Sequence, residues 1–115
     1  MVLSGPVGAA PGGALGVLPI GDYACETPGD ATREAGIAAP AENFTIVGAA
    51  RYRSAGGSGL YLLTGDIAVM TSGPKAGTRY LRVSDNLLRR LDDAGRETEL
   101  RCIRRFVSRQ NPKRG

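Results

Sequence analysis

Apolar positions along this chain fall in short runs of β-branched and aromatic residues, and between residues 21 and 83 Gly, Pro or Asp interrupts them about every ten residues. That is the pattern of an antiparallel β protein. GDYACET (21–27) predicts a first strand. Phe44 and Ile46 share a face by the period of two and predict a second, NFTIVGAARYRS (43–54), running on through Tyr52. Gly48, Ala49 and Ala50 weaken its middle and predict a bulge or the close approach of another backbone. AGGSG (55–59) predicts a hairpin loop. LYLLTGDIAVMTSG (60–73) predicts two strands around Thr64, Gly65 and Asp66, where glycine supplies a positive φ. Gly73, Pro74 and Gly77 predict a further turn. In TRYLRVSD (78–85), Tyr80 and Arg82 fall on one strand face, Leu81 and Val83 on the other.

Residues 84–107 carry two patterns at once. As strands, NLLRRLD and TELRCIRRF pair across Asp93, Ala94, Gly95 and Arg96. As helices, Ser84 caps a segment holding Leu87, Leu88 and Leu91, and Leu100, Ile103 and Val107 form a second apolar stripe beside Arg101, Arg104 and Arg105. Joined at Gly95, two such helices would resemble a helix-turn-helix. The β pattern upstream and the tight-turn setting of Gly95 favour strands.

Cys25 and Cys102 are the only cysteines, one just inside the first ordered run and one in the last. A bond between them closes a loop of 77 residues, worth roughly 4 kcal/mol in the chain-entropy model. The alternative is a pair of reduced, buried thiols in a cytosolic protein. The predicted fold is therefore all-β, a small antiparallel meander closing into a barrel or curled sheet of seven to eight strands, clasped by a disulfide between the first and last.

The flanks differ from this core. Residues 1–20 are uncharged and rich in Gly, Ala and Pro, which predicts a disordered arm or the remnant of a signal peptide. The first basic residue is Arg33, so the basic start of a secretory signal is missing. Residues 28–42 predict a long loop, in which 32–37 could form one helical turn. Residues 108–115 predict a disordered basic tail, leaving 21–107 as the single domain. No stretch approaches the ~18 apolar residues of a membrane-spanning helix.

Charge and chemistry narrow the function classes. Residues 1–50 carry one basic and five acidic side chains, and 51–115 carry fourteen basic and six acidic, so the net +4 belongs to the second half. That bias suits anionic partners, although solvated strand faces explain it as well. The chain has no histidine, which excludes a histidine base, a histidine-based triad and histidine metal ligands. No phosphate-binding loop is present, and Asp92 beside Asp93 reads as a turn. We therefore expect no catalytic residues, no cofactor and no metal. Asn43, Phe44 and Thr45 match the N-glycosylation pattern, and a strand-start Asn explains them equally. Tyr52 between Arg51 and Arg53, and Tyr80 between Arg79 and Arg82, hint at a stacking row for single-stranded nucleic acid; half-buried barrel tyrosines are the commoner reading.

The layout Gly21-x-Tyr23-x-Cys25, then Tyr52-Arg53, the Gly-Leu-Tyr of residues 59–61, Ser72-Gly73-Pro74-x-x-Gly77 and Cys102-x-Arg104 resembles a group of small secreted bacterial β-proteins of unassigned function, over about 80 residues. It is more distantly similar to the periplasmic and membrane-bound inhibitors of C-type lysozyme, small barrels with a Tyr-x-Cys opening and a closing cysteine. Those inhibitors reach the lysozyme cleft with a Ser-Gly-x-x-Tyr and a Lys-Gly-x-x-Ala segment. Here residues 48–52 and 64–68 correspond: Tyr52, Gly65 and Ala68 match, while Gly48 stands where the Ser belongs and Thr64 where the Lys belongs.

These readings converge on a non-enzymatic, monomeric binding or envelope-associated protein, periplasmic or secreted, whose partner is a protein or anionic polymer of the cell envelope. Function concentrates in loops on a rigid scaffold, which nominates Tyr52, Arg53, Lys75 and Arg79 as partner-binding residues. The rivals are a lysozyme-inhibitor-like protein that binds a hydrolase, and a cytosolic nucleic-acid binder that uses a basic helical segment.

Overall fold

The computed structural model describes residues 14–29 and 36–105, and among them ten strands form one antiparallel sheet that closes on itself. The strands are β1 (Leu15–Gly16), β2 (Gly21–Thr27), β3 (Ile37–Ala38), β4 (Phe44–Gly48), β5 (Arg51–Ser54), β6 (Gly57–Thr64), β7 (Ile67–Met70), β8 (Arg79–Ser84), β9 (Leu87–Leu91) and β10 (Glu97–Arg105). From β4 onward each strand pairs with the next, and β2 lies between β4 and β10. The result is an eight-stranded meander barrel. The two-residue strands β1 and β3 extend it, β1 on β6 beyond the end of β5 and β3 on β2 beyond the end of β4.

A barrel of eight strands has an interior that side chains alone can fill, and alternation decides which ones do. Tyr23 and Cys25 of β2, Phe44 and Ile46 of β4, Tyr52 of β5, Tyr61 and Leu63 of β6, Ala68 and Met70 of β7, Tyr80 of β8, Leu88 of β9 and Cys102 of β10 are all buried. Every tyrosine in the chain belongs to this core, so none offers a face for stacking bases. Phe44 stacks on Tyr23 with ring centroids 5.1 Å apart and tilts against Tyr80 at 5.3 Å.

Cys25 and Cys102 are directly opposed on β2 and β10 and form the disulfide, with their Cα atoms 3.9 Å apart. The bond lies across the line where the first barrel strand meets the last. The barrel closes there: β4 to β10 run on through consecutive hairpins, and β2 reaches β4 through the longer connection at 28–43. Residues 84–105, whose helical reading fails here, form the β9/β10 hairpin. Asp92 Oδ1 accepts the backbone N–H groups of Ala94 and Arg96, both at 2.9 Å, and Gly95 has φ 83°. That turn is what tips the ambiguous segment towards strand.

Three sequence expectations are revised. Residues 43–54 are not one strand: Ala49 and Ala50 turn the chain between β4 and β5, with Ala50 at φ 64°, and the expected bulge lies just before, between Ile46 and Gly48. The hairpin loop after β5 shrinks to Ala55 and Gly56, since Gly57 already pairs with Ser54. Residues 14–20, expected in the arm, pack on the barrel: Leu18 is buried, its N–H bonds to the Tyr61 hydroxyl at 2.8 Å, and Tyr23 donates to the Pro19 carbonyl at 2.8 Å. Residues 1–13, most of the proposed helical turn at 32–37, and the basic tail lie outside the described residues. Among the described residues no helix is long and apolar enough to cross a membrane.

The strand directions give the barrel two unlike poles. At one end are the turns at 49–50, 65–66 and 85–86, closed by the segment carrying Leu18. At the other are the loops at 36–43, 55–56, 71–78 and 92–96.

Candidate functional site

At the second pole the barrel interior stops being apolar. Arg90 lies directly across the ladder from Tyr80 and two residues from Leu88, so the pleat turns it inward in the last layer of the barrel. Glu42 ends a short 3-10 turn (Pro40–Glu42) and reaches over that layer. Its Oε1 accepts from Arg90 Nη1 at 3.1 Å and lies 3.5 Å from Lys75 Nζ. Lys75 Nζ also donates to the Glu42 carbonyl at 3.3 Å and stands 5.8 Å from the centre of the Phe44 ring, within cation–π range.

Tyr52 fixes the loop that carries Lys75. Its hydroxyl donates to the Ser72 carbonyl at 2.7 Å and accepts the Lys75 backbone N–H at 2.9 Å. The same loop presses Gly73 against Gly59: a Cβ on Gly73 would sit 2.6 Å from the Ser58 carbonyl oxygen, and Gly73 holds φ 86°. The Ser-Gly-Pro motif and the Gly-Leu-Tyr motif therefore meet in space, each glycine required by the other's backbone.

Burial sets the electrostatics. The Lys75 side chain is only 10% exposed, and desolvation lowers its amine pKa from the ordinary lysine value, partly offset by Glu42. The Tyr80 phenol is pushed well above its ordinary value, chiefly by burial, with Arg90, Glu42 and Tyr52 as its electrostatic neighbours. Its hydroxyl finds no hydrogen-bond partner among the described residues. A buried phenol without a partner beside an arginine is unusual, because such groups are nearly always satisfied.

Two clefts meet at Glu42 and Arg90. One, of about 300 Å³, is bounded by Lys75, Ser54, Thr78 and Pro74. The other, of about 520 Å³, runs towards Leu91, Leu100, Asp92 and Asp93. No family model, curated protein or solved structure matches this chain. The pole offers two cations, two hydroxyls and a buried phenol around the Glu42 carboxylate, with Asp92 and Asp93 along the larger cleft.

The four residues expected to bind a partner do not form one surface. Tyr52 and Lys75 come together, but Tyr52 is fully buried and acts through its hydroxyl. Arg53 is on the outer face of β5, bordering a separate groove of about 400 Å³ with Asp22 and Thr45. Arg79 turns its guanidinium to the Asp92 and Asp93 carbonyls, at 3.0 and 2.9 Å. The sequence does not single out Glu42 or Arg90, and it offers Tyr80 only as a stacking candidate or, more commonly, a half-buried barrel residue. Arg90 was findable, since it shares a strand face with Leu88. Glu42 was not, because only the closed barrel brings it to residues 75 and 90.

The remaining motifs resolve into structural roles. Asn43 Oδ1 accepts the Cys25 N–H at 2.7 Å, and Thr45 donates to Asp22 at 2.7 Å. Tyr52 and Ala68 are interior side chains and Gly65 takes φ 60° in the β6/β7 turn, so the three positions matching the lysozyme inhibitors are ones the barrel itself uses. Among the described residues no group of three or more His, Cys, Asp or Glu is placed to hold a metal ion.

Proposed function

We propose that this chain is a non-enzymatic binding domain of the periplasm or the extracellular space, which holds an anionic partner of the cell envelope at its Lys75 pole. The observation that carries this reading is the smaller cleft: Lys75 and Arg90 share one oxygen of Glu42, so one positive charge is left over among the residues that line it, while Asp92 and Asp93 line the cleft beside it. The disulfide supports the compartment, since such bonds persist where thiols are not kept reduced. The chain has neither histidine nor a free thiol, and apart from Glu42 the polar side chains around the smaller cleft, Lys75, Arg90, Ser54 and Thr78, can donate hydrogen bonds to negative charge.

The test is retention on isolated cell envelopes of the source organism, compared for wild type, Lys75→Glu and Arg53→Glu. The expected result is salt-sensitive retention of wild type, sharply reduced by Lys75→Glu and little changed by Arg53→Glu. Equal retention of all three proteins removes the pole from the reading. Binding to a hydrolase is a second reading, favoured by one observation: the turns at 49–50 and 65–66 leave the same end of the barrel. Saturable protection of cells against C-type lysozyme would support it, and loss of protection in an Asp66→Lys variant would assign it to that end.

A further inference from the structure

Glu42 differs from the other groups at the pole in where it comes from. Lys75, Tyr80 and Arg90 belong to the barrel or to a loop bonded to it, whereas Glu42 belongs to a three-residue turn lying over the opening. Among the described residues it is the only acidic side chain bordering the 300 Å³ cleft. Its grip is incomplete. One oxygen, Oε1, serves both cations, the Lys75 contact is long at 3.5 Å, and Arg90 gives it a single nitrogen of a fork built for two. Tyr80, across the ladder from Arg90, is fully buried behind Glu42 and Arg90 and does not line the cleft while Glu42 is in place; its hydroxyl has no hydrogen-bond partner among the described residues.

We infer that Glu42 is a resident stand-in for a ligand, and that the cleft takes the carboxylate of a small hydroxylated acid, which displaces Glu42 from Lys75 and Arg90 and engages the Tyr80 hydroxyl. Such a carboxylate can meet Arg90 with two oxygens, and it supplies the acceptor that Tyr80 lacks. The ligand's own hydroxyls face Ser54 and Thr78, which border the cleft. A volume of 300 Å³ suits a molecule of sugar-acid size. The cleft on the other side of Arg90 is the poorer route, because Asp92 and Asp93 line it. The acid can be free or can be the acidic unit of a polysaccharide; the chemistry recognised is the same. This inference deepens the proposed binding function and rests on it.

The experiment is titration of the full chain with glucuronate, with glucose, inorganic phosphate and alginate in parallel, followed by calorimetry and amide chemical shifts. Wild type should bind glucuronate and not glucose. Glu42→Gln should bind it at least tenfold more tightly, since the resident competitor is gone. Tyr80→Phe should bind it several-fold more weakly while melting at a higher temperature, because the unpartnered hydroxyl is removed; a merely structural tyrosine would not move the two in opposite directions. Arg90→Lys keeps the charge and loses the fork, and should also weaken binding, which covers the case in which Glu42→Gln fails to fold. Binding of alginate at the same residues identifies the polymer as the source, and binding of glucuronate alone identifies a free acid. The inference is overturned if Glu42→Gln does not tighten binding, if phosphate competes as well as glucuronate, or if no carboxylate binds. Envelope retention without glucuronate binding would overturn the inference and leave the proposed function standing, whereas loss of both would remove both.

Discussion

Reducing the disulfide is the most direct perturbation of this barrel. Cys25 and Cys102 are 77 residues apart in sequence and neighbours in the sheet, so the bond confines almost the whole described chain to one loop in the unfolded state. For a loop of that length the chain-entropy relation gives about 15 cal/mol/K, or about 4.5 kcal/mol at 25 °C. That is a large share of the roughly 5–15 kcal/mol that holds a small domain folded. With a urea m-value of about 1.5 kcal/mol/M, the unfolding midpoint of the reduced protein should fall by about 3 M. The assay is equilibrium urea denaturation followed by far-UV circular dichroism, with and without reductant, and with Cys25→Ala/Cys102→Ala as a non-redox control. In the reduced protein the slope m should also rise, because the unfolded chain is free to expand. A midpoint shift below about 0.7 M, equivalent to about 1 kcal/mol at that slope, would refute the reasoning. It would mean that the five-residue ladder between β2 and β10 closes the barrel by itself.

Three further outcomes follow from the packing. Leu18→Ala should cost about 2–4 kcal/mol, because Leu18 is a fully buried core side chain closing one end of the barrel; denaturant titration checks this, and a cost under 1 kcal/mol would mean that the segment is dispensable. Gly59→Ala should be among the most damaging substitutions, since its Cβ would collide with the Ser72 carbonyl and the Tyr52 ring, and loss of amide dispersion in a proton NMR spectrum is the readout. Stability should fall in alkali. Burial raises the Tyr23 phenol from 10.0 to about 12, so between those values the unfolded chain loses a proton that the native state keeps, and stability decreases as pH rises; about 3 kcal/mol is at stake. Tyr80 acts with the same sign, while Lys75, lowered by burial, opposes them because its stabilising contribution grows as pH rises towards 10.5. Denaturation between pH 10.5 and 12, above the window in which Lys75 contributes, checks this, and a flat profile there would contradict it.

The barrel was legible in the sequence where two independent signals coincided. The β6/β7 hairpin shows both the alternation of Tyr61 and Leu63 and a turn glycine, Gly65, at φ 60°. Between β4 and β5 there was only one signal, a run of small residues. Such a run weakens a strand whether it bulges or turns, and Ala50 gives no warning that it adopts a left-handed backbone. Leu18 was missed because Gly and Pro around it mask a single core residue whose burial depends on Tyr61, 43 positions away. The candidate site was legible in part. Lys75 stood out in a Gly-Pro turn, but its surroundings come from residues 42, 44, 52 and 90, and contacts of that sequence separation leave no periodic trace. Charge counting pointed to arginines in general, yet Arg82 is tied to Asp66, Arg89 to Glu97 and Arg101 to Glu26, so much of that charge is already committed.

The described chain enters the barrel at Ala14, beside the β6/β7 turn, and leaves it at Arg105, opposite Asp22. Entry and exit share the Leu18 pole, and Lys75 occupies the other. The described barrel is thus polarised like a plug on a cord: residues 14 and 105 leave it on one side, and the cleft opens on the other. Because both ends of the described chain lie at one pole, against β6 and β2 respectively, a linker that crosses that pole from 105 to 14, with new ends opened at Ala55 and Gly56, would preserve every strand pairing of the described residues and bring the covalent ends to the Lys75 pole.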